Sequence, residues 1–272
     1  MPESLDSLIR RIKSLEIQGA KQIAVHSLKF LRIYTKKRGF GKDFKTAIKK
    51  LEKSRPTAVV LHNCLEILKK NPSQQTITKL LSQLNEATKE IGKRGHVVIK
   101  NNYKIMTHCH SGEALSVIKQ AWKEGKKITV YATETRPKYQ GIITAKELSK
   151  LGIPTILITD SAAGYYMDKV DALIVGTDAI RKEGVVNKIG TYMMALTAYQ
   201  HKKPIYFVGN TLKLDKRKKI IIEMRSEDEV YRKIKGVEIE NPAFDITPWK
   251  YVTRIITEKG VMTKANLLRL MK

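Results

Sequence analysis

The segment KIMTHCHSGEALSVIKQAWKEGKKITVYAT, residues 104–133, contains the pattern that decides the fold. A short run of apolar and β-branched residues, KIMTHC, is followed by the helical stretch GEALSVIKQAWKEG, in which Leu115, Ile118 and Trp122 share one face. A second short run, ITVYAT, comes next. A strand, a helix and a strand at this spacing predict a βαβ unit whose two strands are parallel.

The same alternation continues along the chain. Further runs, TILITD, ALIVG and PIYFVG, occur at residues 155–160, 172–176 and 204–209, with helical stretches between most of them. We therefore predict an α/β fold with a doubly wound, mostly parallel sheet over residues 94–272. Ligands of such sheets bind beyond the carboxyl ends of the strands, so polar residues that follow the strands are site candidates.

Residues 1–93 have a helical rhythm instead. In LDSLIRRIKSLEI and TITKLLSQLNEATKEIG, apolar residues recur three and four positions apart: Leu5, Leu8, Ile9, Ile12 and Leu15 in the first, and Ile77, Leu80, Leu81 and Leu84 in the second. RPTAVVLHN predicts the start of another helix after Pro56, and Gly92 suits a helix C-cap. We predict an N-terminal helical domain over residues 1–93.

Composition limits the class of protein. With 42% hydrophobic residues, the 272-residue chain can bury a sizeable core, and no apolar run approaches the roughly 20 residues of a membrane span. The first residues lack the h-region of a signal peptide, so we expect a cytoplasmic protein. The two cysteines form no zinc-site spacing. The net charge of +26 fits either a solvated surface or a polyanionic partner such as nucleic acid.

The first strand end with polar residues is THCHSG, residues 107–112. Ser111 and Gly112 open the next helix, and its free N–H groups suit a phosphate. The same field is expected to lower the pKa of the Cys109 thiol and to make a thiolate available. The alternative is that Cys109 is a small buried hydrophobic residue and Ser111 only an N-cap.

A second cluster, TETRPKYQG, spans residues 133–141. Arg136 can pair with a phosphate or carboxylate through two hydrogen bonds, and Gly141 permits a close approach of backbone. The alternative is a structural ion pair between Glu134 and Arg136.

The third cluster comprises GTDAI, residues 176–180, and GVVNKIGTY, residues 184–192. Asp178 can act as an acid or base if it is desolvated, and Asn187 with Lys188, expected at a helix start, can clamp a phosphate. Alternatively, Asp178 caps a helix and Lys188 is solvated. No GxGxxG, P-loop or GxSxG motif supports a dinucleotide, a P-loop nucleotide or a serine-hydrolase site. Together the clusters favour a phosphorylated small molecule.

The motifs THCHSG, TETRPKYQG, ITDSAA, GTDAI, NKIGTY and NPAFDITP resemble those of one superfamily. It contains archaeal ribose-1,5-bisphosphate isomerase, methylthioribose-1-phosphate isomerase and the alpha, beta and delta subunits of initiation factor 2B. The resemblance runs from about residue 14 to the C-terminus and is densest over 104–260. It implies an N-terminal helical domain, a Rossmann-like C-terminal domain without a dinucleotide, and self-association through that domain as a dimer or a trimer of dimers.

The resemblance also implies site residues. The isomerases use a cysteine and an aspartate, which correspond to Cys109 and Asp178. The phosphate-binding positions of the ribose-bisphosphate enzymes correspond to the Gln18–Lys21 loop (Gln18, Gly19, Ala20, Lys21), Arg55, Ser111, Gly112, Glu113, Asn187, Lys188 and Lys213, with Arg136 a further candidate. This chain departs from the family at two places: Gln18 stands where an arginine is usual, and Gly112 and Glu113 stand where a lysine and a small residue are usual.

The implied function is an aldose–ketose isomerase that converts ribose 1,5-bisphosphate to ribulose 1,5-bisphosphate, with no metal or other cofactor. In the implied mechanism, protonated Asp178 protonates the ring oxygen and the Cys109 thiolate removes the C2 proton. The alternative is a non-catalytic regulator of translation initiation, resembling subunits of the exchange factor for initiation factor 2. Those subunits generally lack the cysteine, so the Cys/Asp pair favours the enzyme. The weakened phosphate loop and the high positive charge favour the regulator.

Overall fold

The computed structural model describes residues 3–14, 16–17, 19–219 and 221–271. The chain divides into two compact units: a helical unit, Met1–Ala87 with Leu212–Asp215, and a sheet unit, Thr88–Thr211 with Lys216–Lys272. The domain boundary expected between residues 93 and 94 stays a prediction. The two compact units divide between Ala87 and Thr88, and Leu212–Asp215 belongs to the helical unit.

The helical unit is built from amphipathic helices. They are α1 (Leu5–Lys13), α2 (Ala20–Arg38), α3 (Lys42–Ser54), α4 (Val59–Lys70) and the part of α5 (Gln74–Gly95) up to Ala87, since the rest of α5 belongs to the sheet unit. Each places one apolar stripe in a common core, because residues three or four positions apart share a helix face. The predicted faces are confirmed: the core contains Leu8, Ile12, Ile77, Leu80, Leu81 and Leu84, with Leu5 and Ile9 packed at its edge. Leu15 lies outside the described residues.

The prediction of a C-cap at Gly92 is wrong. Helix α5 continues to Gly95, and Gly92 lies inside it. A Cβ atom at Gly92 would lie 2.8 Å from the carbonyl oxygen of Ser116, so the glycine is required for close packing within the sheet unit. In the described part of the chain, no helix is both long and apolar enough to cross a membrane.

The described residues of the sheet unit form ten strands. These are β1 (Tyr103–Thr107), β2 (Ile128–Thr133), β3 (Thr155–Ile158), β4 (Ala172–Gly176), β5 (Ala179–Ile180), β6 (Gly184–Lys188), β7 (Ile205–Val208), β8 (Phe244–Pro248), β9 (Arg254–Thr257) and β10 (Gly260–Met262). The helices of this unit that follow α5 are α6 (Gly112–Lys123), α7 (Gln140–Lys150), α8 (Ala163–Tyr166), α9 (Thr191–Gln200) and α10 (Lys264–Leu270).

Seven strands form the main sheet, in the order β10-β9-β7-β4-β1-β2-β3. All neighbours are parallel except the β9–β10 pair. The strands β5, β6 and β8 form a small antiparallel sheet. The central strand β4, ALIVG, is buried along its whole length, as expected for a parallel strand covered on both faces. The predicted Rossmann-like, mostly parallel fold is confirmed.

The order of the parallel strands determines where a ligand can bind. From β1 the chain adds β2 and β3 on one side, and then returns to add β4, β7 and β9 on the other side. The order therefore reverses between β1 and β4, which pair directly through Ile105 with Ala172 and Met106 with Leu173. A crevice forms beyond the carboxyl ends of strands at such a switch point. Cys109 follows β1, and Asp178 follows β4.

Gly141, near the start of α7, provides a test of backbone packing beside this crevice. A Cβ atom there would lie 1.6 Å from the carbonyl oxygen of Thr133, which leaves no room for any side chain. We expect Gly141→Ala to lower the free energy of unfolding by about 1–3 kcal/mol or more, as overpacked sites do. Denaturant unfolding followed by circular dichroism measures the change.

Gly112, at the start of α6, is the matched control for this variant. A Cβ atom at Gly112 would meet no atom within 4 Å. Gly112→Ala is therefore expected to preserve stability or to raise it by up to about 1 kcal/mol, since alanine favours the helix. Equal stabilities of the two variants would contradict the assignment of Gly141 as a packing glycine.

Candidate active site at the switch point of the sheet

The segment that follows β1 brings Cys109 into an unusual backbone conformation. Its φ angle is +68°, in the left-handed region that residues other than glycine rarely occupy. Cys109 is partly exposed to solvent, unlike Cys64, which is buried in the helical core. Ser111 caps the next helix, with its hydroxyl oxygen accepting a hydrogen bond from the N–H of Ala114 at 3.3 Å.

The expected lowering of the pKa of Cys109 is wrong. Burial of the sulfur raises the pKa to about 11, and the carboxylates of Asp178 and Asp160 raise it further. The ammonium of Lys188 and the N–H of His110 oppose this rise. Helix α6 begins only at Gly112, so Cys109 precedes its first turn, and desolvation outweighs the helix field. The thiol is therefore neutral at pH 7 when Asp178 is ionised.

The end of β4 lies against the segment that follows β1. A Cβ atom at Gly176 would be 2.6 Å from the hydroxyl oxygen of Ser111 and 3.7 Å from Oδ1 of Asn187. Asp178, two residues later, donates its N–H to the carbonyl oxygen of Val186 at 2.8 Å and so enters the β5–β6 hairpin. It therefore starts a hairpin and does not cap a helix. Three of the predicted segments, THCHSG, GTDAI and GVVNKIGTY, therefore converge at the end of β4.

Asn187 and Lys188 are located at the end of β6, and the expected helix start is wrong. Strand β6 pairs with β8 over its whole length, and α9 begins only at Thr191. Asn187 is buried and donates its amide to the hydroxyl of Thr191 at 3.0 Å. The ammonium of Lys188 lies 5.3 Å from the centre of the Phe244 ring, and its charge lowers the pKa of both Cys109 and His108. Lys188 therefore contributes positive charge to the site.

His108 links three parts of the site. Its Nε2 lies 2.9 Å from the carbonyl oxygen of Ile189, which can only accept, so this nitrogen carries the hydrogen. Its Nδ1 then accepts from the hydroxyl of Thr133 at 2.6 Å. Burial lowers the pKa of His108 and keeps the ring neutral. Both nitrogens are occupied, so the ring fixes the β6–α9 connection to the main sheet.

Glu113 and Arg136 are both held by protein groups. The buried Glu113 carboxylate accepts the N–H and the side-chain amide of Asn210, at 3.2 and 2.6 Å. The Arg136 guanidinium donates to the carbonyl oxygen of Val230 at 2.8 Å and to the hydroxyl of Tyr139 at 2.9 Å. It also lies 5.0 Å from the centre of the Tyr139 ring. Among the described residues, these contacts hold Arg136 in place, and no ion pair with Glu134 contributes.

The remaining predicted phosphate ligands belong to the helical unit. The segment predicted as a loop is a helix start, because Gly19, at φ +79°, precedes α2, and Ala20 and Lys21 are the first residues of that helix. Gln18 lies outside the described residues. Arg55 directly follows α3, and Lys213 is buried in the turn Thr211–Lys213. Their role as ligands stays a prediction.

Asp245, inside the motif NPAFDITP, is a residue to which the sequence assigned no role. Its Oδ2 accepts the N–H groups of Gly190 at 2.7 Å and Tyr192 at 3.0 Å, and so caps the start of α9. Burial raises its pKa to about 6. No local sequence signal indicates this cap, because carboxylate and helix are separated by more than fifty residues.

A possible metal-binding group occurs in the helical unit. Single ligand atoms of Glu52, His62 and Glu66 lie within 4.8 Å of one another. The ammonium of Lys69 pairs with Glu52 at 2.9 Å and with Glu66 at 2.6 Å, so both carboxylates already have a cationic partner within the protein.

The raised pKa of Asp245 predicts a pH-dependent stability. The folded protein favours the protonated carboxyl, so it binds more protons than the unfolded chain between about pH 4 and 6. The contribution of Asp245 to stability therefore falls as pH rises through that range. Asp245→Asn keeps an oxygen acceptor but cannot ionise. We expect the Tm of the variant minus that of the wild type to rise by about 2–4 °C between pH 5 and pH 7.5.

Differential scanning fluorimetry of both proteins at each pH measures this difference, and groups common to both cancel. A Tm difference that stays constant, or that falls with rising pH, would show that the folded protein does not favour the protonated form.

Comparison with known proteins agrees with the resemblance of the motifs. The model of the Initiation factor 2 subunit family matches residues 16–264. Ribose 1,5-bisphosphate isomerase of Thermococcus kodakarensis is 40% identical, over 94% of this chain and 89% of its own. Methylthioribose-1-phosphate isomerase of Caldanaerobacter subterraneus subsp. tengcongensis is 36% identical, over 97% and 88%. The crystal structure of translation initiation factor eIF-2B of Pyrococcus horikoshii OT3 matches with a TM-score of 0.87 and 29% identity, over 98% and 99%. The chain belongs to the initiation factor 2 subunit family.

Proposed function

We propose that this protein is an aldose–ketose isomerase that converts ribose 1,5-bisphosphate to ribulose 1,5-bisphosphate. The observation that carries the proposal is the position of Cys109 and Asp178, which follow the two strands on either side of the switch point. The influence of the Asp178 charge on the Cys109 thiol supports their closeness. The 40% identity to a ribose 1,5-bisphosphate isomerase over nearly the whole chain supports the substrate.

One proton shared by the thiol and the carboxyl explains how a cysteine whose sulfur is desolvated can act as a base. The Asp178 carboxylate raises the pKa of Cys109, and the Lys188 ammonium lowers it. If the proton moves from the sulfur to Asp178, the thiolate loses one repelling charge and keeps Lys188 as its counter-charge. The same transfer leaves Asp178 neutral and able to donate. The pair then consists of a Cys109 thiolate and a neutral Asp178, which is the state that the reaction needs, without a net gain or loss of protons.

The proposed steps return both groups to their starting state. Asp178 gives its proton to the ring oxygen, and the bond between that oxygen and C1 breaks. The Cys109 thiolate takes the proton from C2, and the electron pair of the C–H bond forms the C1–C2 double bond of an enol. The cysteine then returns a proton to C1, and the Asp178 carboxylate takes the proton of the C2 hydroxyl. The net change moves the C2 hydrogen to C1 and the proton of the C2 hydroxyl to the former ring oxygen.

Each of the two units contains a group of residues that we propose as phosphate ligands. In the sheet unit, the hydroxyl of Ser111, the start of α6 at Gly112 and the ammonium of Lys188 provide donors and positive charge. In the helical unit, the 19-residue helix α2 provides a positive helix end at Gly19 and Ala20, and Lys21 adds a cation there. Arg55 and Lys213 are the further cations of this second group.

A regulator of translation initiation is the second candidate function. The likeness to a solved protein titled translation initiation factor eIF-2B favours it. Under this alternative, the protein binds initiation factor 2 and accelerates its release of GDP in a way that resists salt and does not require Cys109. Under the isomerase proposal, any association of this +26 chain with acidic partners fades as salt rises. An exchange assay at two salt concentrations distinguishes the two functions.

Self-association is part of the proposal. Helix α9 exposes the large apolar side chains of Met193, Leu196 and Tyr199, and Tyr165 on α8 is also exposed. Exposed apolar patches of this kind are typical of surfaces between subunits. We propose a dimer through the sheet unit, with a trimer of such dimers as the larger assembly. The cytoplasm remains the predicted location.

Cys109→Ser tests the role of the cysteine. The hydroxyl is nearly isosteric, but it is far too weak an acid to provide a resting base. We expect kcat for conversion of ribose 1,5-bisphosphate to fall at least about 10²-fold, since general base catalysis contributes roughly 10²–10⁴-fold. Formation of ribulose 1,5-bisphosphate, detected by a coupled assay, measures the rate.

Cys64→Ala is the matched control, because Cys64 is the chain's other cysteine and burial raises its pKa to about 12. Its kcat is expected to stay at the wild-type value. A Cys109→Ser variant that keeps more than about a tenth of the wild-type rate would exclude the base role.

Gln18→Arg tests whether the substrate is a bisphosphate. Gln18 precedes Gly19, at a position where an arginine is usual in the family, and glutamine cannot pair ionically with a phosphate. We expect the arginine to lower KM roughly 5–100-fold, on the strength of a charge-assisted hydrogen bond. The kcat should change little, because the contact is equal in the ground and transition states. An unchanged or raised KM for ribose 1,5-bisphosphate would count against this substrate.

A further inference from the structure

Two neighbouring segments of the site hold strained backbone. Cys109 has φ +68°, and Thr135, in the segment after β2, has φ +61°. Residues other than glycine are sterically strained in this region, and a β-branched residue such as threonine is strained most. Such conformations persist only where surrounding contacts fix them, and they concentrate at functional sites.

Threonine hydroxyls fix the peptide groups on both sides of Cys109. Its N–H donates to Oγ1 of Thr135 at 2.8 Å, and its carbonyl oxygen accepts from Oγ1 of Thr144 at 2.8 Å. A return of Cys109 to an ordinary φ angle would rotate these peptide groups and break the contacts. The left-handed conformation and the two hydrogen bonds therefore require each other.

The two threonines are themselves held in place. Both are fully buried. The N–H of Thr135 donates to Oδ1 of Asp160 at 2.8 Å, and the N–H of Arg136 donates to Oδ2 of the same carboxylate at 2.7 Å. Oγ1 of Thr144 also lies 3.0 Å from Nδ1 of His110. The clamp on Cys109 is therefore part of a network that joins the segments after β1, β2 and β3.

We infer that Thr135 and Thr144 are positioning residues that hold Cys109 in the left-handed conformation from which its sulfur takes the substrate proton. The inference rests on the proposed function, since it names what that reaction requires of the backbone. It also gives a role to the TETRPKYQG motif. Its Arg136 is held by protein groups, and its Thr135 contacts the cysteine directly.

Replacement of each threonine by valine isolates the hydroxyl, because valine keeps the β-branched shape. In a Cys64→Ala background, Cys109 is the one remaining thiol of the chain. We expect Thr135→Val and Thr144→Val each to lower kcat roughly 10–100-fold, since a small misplacement of a reacting group costs up to about 10²-fold. The KM should stay near the wild-type value, because neither threonine is a proposed phosphate ligand. Thr135→Ser, which keeps the hydroxyl, should restore most of kcat.

Thr257→Val is the matched control. Thr257 is also fully buried, ends strand β9 and donates its hydroxyl to a backbone carbonyl oxygen, that of Gly260, at 3.2 Å. Loss of the Thr257 hydroxyl should lower Tm, as in Thr135→Val and Thr144→Val, but should leave kcat unchanged. If kcat falls as far in Thr257→Val as in Thr135→Val, the loss of activity reflects general destabilisation of the fold. That result would overturn the inference.

The rate of alkylation of Cys109 by iodoacetamide provides a measurement that does not depend on the isomerase reaction. It should change severalfold in Thr135→Val and Thr144→Val, and stay at the wild-type value in Thr135→Ser and Thr257→Val. An unchanged rate in both valine variants would overturn the inference, even if kcat falls. If the wild type does not convert ribose 1,5-bisphosphate, the proposed function fails, while the alkylation rates still decide the role of the two threonines.

Discussion

The reversal of strand order between β1 and β4 is the constraint on which the site depends. Because these neighbouring parallel strands end at the same edge, the segments that follow them must share one crevice. Gly176 at the end of β4 lets Ser111 approach to a distance that no side chain would allow. The hairpin after Asp178 then brings Asn187 and Lys188 back to the same edge. Strand order, one glycine and one hairpin thus assemble residues from distant parts of the chain.

Burial and the positive charge of Lys188 act in opposite directions on the pKa of Cys109. Desolvation favours the thiol, two carboxylates add to that preference, and the Lys188 ammonium opposes it. In such a balance, the protonation of one neighbour decides the state of the other. A thiol that stays neutral is protected from oxidation and alkylation, since the thiolate is the reactive form. The neutral thiol of Cys109 is therefore a protected state.

The sequence predicted the parts of the structure that depend on local pattern. The β-branched runs predicted five of the seven strands of the main sheet, all except β9 and β10, and the apolar spacing predicted the faces of α1 and α5. The chemistry of Cys109 and Asp178 came from the resemblance, since neither residue is distinctive alone. The errors concern long-range packing: Gly92 contacts Ser116 inside a longer helix, and Lys188 ends a strand because β8 pairs with it. The roles of Thr135 and Asp245 were also missed, because each depends on hydrogen bonds between distant segments.

The tie between Asp245 and the start of α9 has a consequence for the order in which the protein matures. Strand β8, which carries Asp245, is translated after every other element that contributes to the crevice. A nascent chain that ends before β8 already contains Cys109 and Asp178, but it lacks the partner strand of Asn187 and Lys188. Pairing over such a sequence distance also forms slowly. The frame around Cys109 and Asp178 is therefore complete only after β8 has been translated, and shorter nascent chains contain both residues without the strand that pairs with Asn187 and Lys188.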